Sequence, residues 1–146
     1  MRAVIQRVKE SWVDVDGERI AQIGAGLNIL LGVVEGDTED AQKLAQKIAH
    51  LRIFADERGR FDRSLVDIGG EALVVSQFTL AASIRRGRRP DFTAAMEPAE
   101  AKRLYELFCD FLGELVPVQK GRFGAMMEVG IINDGPVTII ADSKEL

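Results

Sequence analysis

Two residue types that carry much of enzyme chemistry, histidine and cysteine, occur once each among the 146 residues. His50 shares the polar face of a predicted helix with Lys43 and Lys47, a position typical of a solvated surface residue. Because there is no second histidine, a Ser-His-Asp or Cys-His mechanism lacks its general base. Cys109 falls on the flank of a second predicted helix, where a packed thiol is expected.

Other absences narrow the class of protein further. The sequence has no metal-ligand spacing among its acidic, histidine and cysteine residues and no Walker loop, so neither a metal nor a cofactor is expected. A single cysteine cannot form an internal disulfide, which favours a reducing compartment, and we expect a cytoplasmic protein. The apolar stretch from 27 to 34 is too short to span a membrane, and the N-terminal residues predict a strand rather than a signal peptide. The net charge of −4 argues against non-specific coating of nucleic acid but is compatible with a local basic patch.

The remaining pattern predicts a single mixed α/β (α+β) domain over residues 1–146, in which two helices pack on β-sheets. Asp16-Gly17 between apolar stretches predicts a β-hairpin, and the run from 27 to 34 predicts a strand buried on both faces. The first helix is predicted to follow an N-cap at Asp37-Thr38, and the second to begin at Pro98.

A polar cluster, Ser76-Gln77-Phe78-Thr79-Leu80, follows a compact β-rich run and is here called the first motif. Strand alternation sends Ser76 and Phe78 to one face, and Gln77 and Thr79 to the other. Hydroxyl and amide groups at a strand end suit hydrogen bonding to an ester, and the adjacent backbone N–H groups could hold an oxyanion. On spacing alone, polar residues that merely end a strand and satisfy a turn are the favoured interpretation.

The second motif is Asn133-Asp134-Gly135-Pro136-Val137-Thr138. It lies between two predicted closing strands, roughly 127–132 and 137–141, and Gly-Pro between strands is a turn signal. Taken alone, the motif predicts a hairpin. A cis bond precedes proline in only about one in twenty cases in folded proteins, so the sequence does not by itself license one here.

Together and in this order, the two motifs resemble the paired signature of the D-aminoacyl-tRNA deacylases. The resemblance extends along the chain, because segments outside the motifs also look like that family. These segments are Met1–Val8, Leu51–Phe54, Gly87-x-Arg89-Pro90 and Gly121–Ala125.

The resemblance implies a dimeric enzyme of the deacylase fold. Ser76, Gln77 and Thr79 would line the site for the aminoacyl ester, and backbone N–H groups near Phe78 and Thr79 would stabilise the oxyanion. Water would attack with help from the 2′-hydroxyl of the RNA, since the protein supplies no suitable base. The rival mechanism, in which Thr79 is a covalent nucleophile, lacks an activating partner.

The second motif would supply selectivity. In the family its Gly-Pro bond is cis and enters the active site of the partner subunit, which implies a homodimer. The carbonyl oxygens of Gly135 and Pro136 would face the α-ammonium of the substrate, a donor-only group, and their rigid backbone would reject an L side chain. Phe123 and Met127 belong to a segment that resembles the part of the family receiving the terminal adenosine.

The function so implied is hydrolysis of D-aminoacyl-tRNA, and of mischarged glycyl-tRNA, with rejection of L-aminoacyl-tRNA. Two alternatives remain: a tRNA-end binding module without catalysis, and a structural dimer in which the Gly-Pro turn is a latch.

A cluster of four arginines interrupts the otherwise acidic chain at Arg85, Arg86, Arg88 and Arg89. The sequence leaves open whether this cluster binds tRNA phosphates or is a solvated loop.

Overall fold

The computed structural model describes residues 1–37 and 40–146. Its strands are β1 Arg2–Val15, β2 Glu18–Ile23, β3 Gly26–Gly32, β4 Phe54–Ala55, β5 Phe61–Arg63, β6 Glu71–Ser76, β7 Val118–Lys120 and β8 Glu128–Asp142. Its helices are α1 Asp40–Ala49, α2 Leu65–Ile68 and α3 Pro98–Gly113, with 3-10 turns at Phe78–Ala81 and Ser143–Glu145. No helix in these two described stretches is long and apolar enough to cross a membrane.

Strand β1 is paired along both of its edges. On one side it runs antiparallel to β3 over its first half and to β2 over its second half, and on the other side it runs antiparallel to β8. Strand β3 pairs in parallel with β6, and β6 in parallel with β7. Because β2 also contacts β6 and β7, the sheet curls strongly towards a barrel.

Helices α1 and α3 pack on one face of this sheet. Ile5, Ile29 and Val74 point towards them from three neighbouring strands and are fully buried. The hydroxyl of Tyr105 in α3 donates a hydrogen bond of 2.8 Å to the carbonyl of Val74, which ties the helix to β6. Cys109 is buried in the same core, as expected of a packed thiol, and burial raises its pKa to about 12.

A smaller core lies on the opposite face of the sheet, mainly over the second half of β1. Residues of β1, β2 and β6 pack there against the segment that leads into β8, and Val8 is the buried member nearest to the start of β1. The buried members are Val8, Val13, Val15, Ala21, Ile23, Leu73 and Val75. Farther along this face Val4 is half-buried and Ile140 is exposed, and the turn at Phe78–Ala81 lies over the end of the face at Gly32 and Arg2.

A buried ion pair fastens the start of β1. The α-amino group of Met1 lies 2.8 Å from a carboxylate oxygen of Asp37, with both groups fully buried. It also donates to the hydroxyl of Ser143, which in turn donates to Asp40. The beginning of α1, the beginning of β1 and the chain after β8 therefore meet at one point.

Most of the predicted elements are confirmed. The Asp16-Gly17 turn joins β1 to β2, and both residues have positive φ. The two predicted helices are α1 and α3, whose N-cap is Glu97. Thr38, half of the predicted cap of α1, lies outside the described residues. The structure adds a third, short helix, α2, which begins with a capping box between Ser64 and Asp67.

The predicted hairpin at the second motif is wrong. Strand β8 runs without reversal from Glu128 to Asp142, and both halves pair with β1. Gln6 is opposite Thr138 and Val8 is opposite Asn133, so Arg7 alone faces residues 134–137. The extra residues leave the ladder as a bulge, which keeps the chain direction and so does not form a turn between strands.

Candidate active site

The first motif lies where three parallel strands end together. Strands β3, β6 and β7 are parallel, and the segments that follow them meet at one edge of the sheet, the usual place for a site in parallel sheets. The first motif follows β6, and residues 121–127 follow β7 beside it. Gly121 N–H donates to the carbonyl of Val74 at 3.0 Å, and the ring of Phe123 lies 5.8 Å from that of Tyr105.

The first motif turns sharply away from the sheet. Gln77 N–H still donates to the carbonyl of Leu31 in β3 at 2.8 Å, and the chain then enters the 3-10 turn. Phe78 is 58% exposed and Thr79 is exposed, whereas Ser76 and Gln77 are half-buried. No hydrogen bond joins the N–H of Phe78 or Thr79 to another described residue. Two free donors at a strand end can stabilise negative charge on a bound oxygen.

The groups around Thr79 do not activate it. Its hydroxyl accepts a hydrogen bond from the side-chain amide of Gln77, which cannot act as a base. His50 is exposed at the end of α1, where its Nδ1 lies 2.8 Å from the carbonyl of Gln46, so the expectation of a surface histidine is confirmed. This arrangement favours binding and electrostatic stabilisation over nucleophilic catalysis.

The bulge of β8 exposes the second motif. The Gly135-Pro136 bond is cis, and both residues are exposed. Arg7, for which the sequence gives no functional signal, fixes the bulge through hydrogen bonds. Its Nε donates to the carbonyl of Asp134 at 3.0 Å, and its Nη1 donates to the carbonyl of Ile53 at 2.8 Å. A guanidinium bonded to both carbonyls thereby fixes the backbone that leads into Gly135.

Within one chain the two motifs lie far apart. The register places Ser76 beside Leu31, Leu31 beside Ala3, and the bulge opposite Arg7. Three strand spacings of about 4.8 Å, together with four residues of about 3.4 Å each along β1, make the separation on the order of 20 Å. Among the described residues, no hydrogen bond joins one motif to the other.

An apolar row crosses the sheet face opposite the helices, between the two motifs. The register aligns Ile140, Val4 and Leu30 on neighbouring strands, and Ile140 is 80% exposed. All three point away from the helices, because side chains alternate along a strand and the adjacent residues, such as Ile139 and Ala3, point towards the helices. An exposed apolar row of this kind marks a surface that another protein surface can cover.

The arginine loop projects beside the first motif. Ser83 and Asp91 exchange two backbone hydrogen bonds of 2.8 Å each, which close the loop at its base. Its four arginines are exposed and form no ion pair with the residues that the structure describes; they are Arg85, Arg86, Arg88 and Arg89. Phe92, which follows the loop, contacts Phe78 edge-on with 5.3 Å between ring centroids.

Comparison with known proteins places the chain in a family. A family model described as D-Tyr-tRNA(Tyr) deacylase matches residues 4–142. A D-aminoacyl-tRNA deacylase of a Nitratiruptor species is 61% identical over 147 residues, and one of Aquifex aeolicus is 60% identical over 148 residues. Both alignments cover 100% of this chain and of the relative.

Two solved structures share the fold of this chain. The structure of c-Myc DNA Unwinding Element Binding Protein superimposes with a TM-score of 0.92 at 41% identity, covering 97% of this chain and 98% of that chain. A structure described as a probable eukaryotic D-amino acid tRNA deacylase superimposes with a TM-score of 0.84 at 17% identity, covering 96% of this chain and 97% of that chain, which shows a common fold.

The family match and relatives of about 60% identity identify the class of protein as the deacylases of aminoacyl-tRNA. The chain belongs to the D-Tyr-tRNA(Tyr) deacylase family. The resemblance drawn from the sequence is therefore confirmed.

Replacing Gly135 by alanine is expected to destabilise the bulge. Gly135 has φ +132°, and an added Cβ would lie 3.0 Å from a methyl carbon of Val137 and 3.2 Å from a guanidinium nitrogen of Arg7. We expect Gly135→Ala to lower the free energy of unfolding by about 1–3 kcal/mol, measured by urea denaturation. The matched control is Gly113→Ala at the end of α3, where nothing lies within 4 Å of the added carbon. An equal change in both variants would show that the bulge tolerates a side chain.

Proposed function

We propose that this chain hydrolyses the ester bond of D-aminoacyl-tRNA, releasing free amino acid and tRNA, and spares L-aminoacyl-tRNA. The observation that carries the proposal is the family match over residues 4–142, with Phe78 and Thr79 of the first motif and Gly135-Pro136 of the second exposed on the folded chain. Glycyl-tRNA is a second substrate, because glycine also lacks the side chain that the site rejects. The reaction takes place in the cytoplasm, where aminoacyl-tRNA is found.

The ester is bound at the first motif. Ser76, Gln77 and Thr79 provide hydroxyl and amide groups that hydrogen-bond the aminoacyl end, while the free N–H groups of Phe78 and Thr79 face the carbonyl oxygen. One such donor contributes roughly 10²- to 10³-fold to the rate when charge develops on that oxygen. The segment containing Phe123 and Met127, which lies beside the first motif, receives the terminal adenosine.

Water is the nucleophile in this mechanism. The 2′-hydroxyl next to the ester assists it, since neither His50 nor Cys109 is placed to act as a base. The burial that raises the pKa of Cys109 also keeps its thiol protonated and unreactive at neutral pH. The enzyme therefore works by orienting an activated ester and stabilising its oxyanion.

Selectivity requires a second copy of the chain. The two motifs are separated within one chain, Phe78, Thr79, Gly135 and Pro136 are exposed, and Ile140 of the apolar row between them is 80% exposed. A symmetric homodimer that covers this row inserts Gly135 and Pro136 of one subunit into the site of the other. Their carbonyl oxygens accept hydrogen bonds from the α-ammonium, and their backbone leaves no space for an L side chain.

The arginine loop binds tRNA phosphates. Guanidinium groups without acidic partners are available to an anionic backbone, and the loop adjoins the first motif through the Phe78–Phe92 contact. A local basic surface of this kind operates despite the net charge of −4, because screening limits the reach of distant charges to about 10 Å.

The proposed activity is tested with matched D-tyrosyl-tRNA, L-tyrosyl-tRNA and glycyl-tRNA. Purified protein should release the amino acid from the D and glycyl forms roughly 100-fold or more faster than from the L form, since each ~1.4 kcal/mol of conflict gives a factor of ten. Ester loss is followed with time, and tRNA without protein is the control. Release from no form would favour a binding module without catalysis. Release from all three would show that Gly135-Pro136 is not the filter.

Replacing Thr79 by alanine separates the two mechanisms. If Thr79 only positions the substrate, single-turnover hydrolysis of D-tyrosyl-tRNA should stay within about ten-fold of the unmodified enzyme, whereas removing a true nucleophile costs about 10⁴-fold or more. Thr93→Ala, at another exposed threonine, is the matched control. Near-complete loss in Thr79→Ala with unchanged folding and tRNA affinity would instead make Thr79 the nucleophile.

Reversing the charge of the arginine loop should weaken the salt dependence of tRNA binding. Each lost phosphate contact should reduce the log–log salt slope by roughly 0.7–0.9. The variant carries glutamate at Arg85, Arg86, Arg88 and Arg89, and the dissociation constant is measured across a salt series. The control reverses Arg58 and Arg60, which are exposed in the turn between β4 and β5. An unchanged slope in the loop variant, or the same change in both, would refute the assignment.

A further inference from the structure

The turn of the first motif packs so closely on the sheet that only glycine fits at the point of contact. It folds back over Gly32, the last residue of β3. A Cβ added to Gly32 would lie 2.9 Å from the carbonyl oxygen of Gln77 and 2.9 Å from the Cβ of Leu80. Neither atom is the far end of a flexible side chain, so neither can swing aside. The turn occupies the space in which a side chain of β3 would otherwise stand.

A second contact holds the same turn from β1. Arg2 is the cross-strand neighbour of Gly32 on one side and of Asp142 on the other. Its Nη1 donates a hydrogen bond of 3.2 Å to the carbonyl of Leu80, while its Nε lies 3.7 Å from a carboxylate oxygen of Asp142. The planar guanidinium therefore links the end of β8 to the end of the turn.

We propose that Gly32 and Arg2 are positioning residues of the ester site. Gly32 sets the distance between the turn and the sheet, and Arg2 fixes the turn at its Leu80 carbonyl. Together they aim the free N–H groups of Phe78 and Thr79 at the developing oxyanion. Neither residue contacts the substrate, and the inference rests on the oxyanion role proposed above for the first motif.

The expected displacement is large enough to matter for catalysis. Carbon atoms ordinarily pack about 3.5 Å apart or more, so a methyl group on Gly32 must push the turn outwards by about half an ångström. A shift of about 1 Å in a catalytic group can cost on the order of 100-fold in rate. The shift moves the N–H donors together with the side chains of Gln77 and Thr79, whereas Phe123 and Met127, which bind the adenosine in the proposed function, follow a different strand and keep their part of substrate affinity. The turnover number should therefore fall more than substrate affinity.

The test compares three variants with two matched controls. In Gly32→Ala and Arg2→Ala, kcat for D-tyrosyl-tRNA should fall roughly ten- to hundred-fold while KM changes by less than about three-fold. Arg2→Lys should recover most of the loss, because its ammonium can still donate to the Leu80 carbonyl. The controls Gly113→Ala and Arg19→Ala, the latter at an exposed ion pair with Asp14, should keep the kcat of the unmodified enzyme.

The double variant adds a separate check. If Gly32 and Arg2 act on one turn, Gly32→Ala with Arg2→Ala should lose less kcat than the product of the two single losses. Independent losses, unchanged kcat in both single variants, or a rise in KM that Arg2→Lys does not reverse would overturn the positioning role. If Gly32→Ala fails to fold, the comparison of Arg2→Ala with Arg2→Lys, at a partly exposed position, tests the positioning role by itself. An inactive unmodified protein would refute the proposed function itself, whereas an active one with unaffected variants refutes only this inference.

Discussion

The pairing of β1 along both of its edges is the constraint on which the rest of the structure depends. Its first half fixes β3, and through β3 the parallel strands whose ends carry the first motif, while its other edge fixes β8. Strand β1 advances by two residues from Gln6 to Val8, whereas β8 spans five residues between their partners Thr138 and Asn133. Strand β8 therefore has three extra residues there. Because pairing resumes on both sides, those residues must leave the ladder, and the exposed Gly-Pro bulge is the result.

Both halves of the proposed site present backbone atoms to the substrate. The first motif offers N–H groups of Phe78 and Thr79, and the second offers the carbonyls of Gly135 and Pro136. Peptide groups do not titrate near neutral pH, and their positions are set by the strands that hold them. This accounts for a sequence with one surface histidine and one buried, protonated cysteine, since the chemistry assigned to the site needs neither a titrating base nor a thiolate.

Local patterns in the sequence were sufficient for most elements but not for their pairing. The Asp16-Gly17 hairpin and both long helices follow from local turn chemistry and periodicity. The short helix α2 also has a local signal in the sequence, the Ser64–Asp67 capping box. The continuity of β8 could not be foreseen, because it depends on pairing with a strand more than a hundred residues earlier. For the same reason Arg7, Arg2 and Gly32 gave no signal, since each acts on a segment that only the long-range register brings near.

The separation of the motifs also constrains how selectivity can arise on the proposed assembly. A bulge fixed by Arg7 and a turn held over Gly32 cannot close a gap on the order of 20 Å by local motion, because both are attached to one continuous sheet. A twofold axis completes two sites at once, since each subunit gives its bulge and receives its partner's. Burial of the row containing Ile140 and Val4 then stabilises the same contact that builds the chiral wall. In the homodimer proposed above, association and discrimination are a single equilibrium, because a dissociated chain keeps the proposed oxyanion donors but lacks the surface assigned to telling D from L.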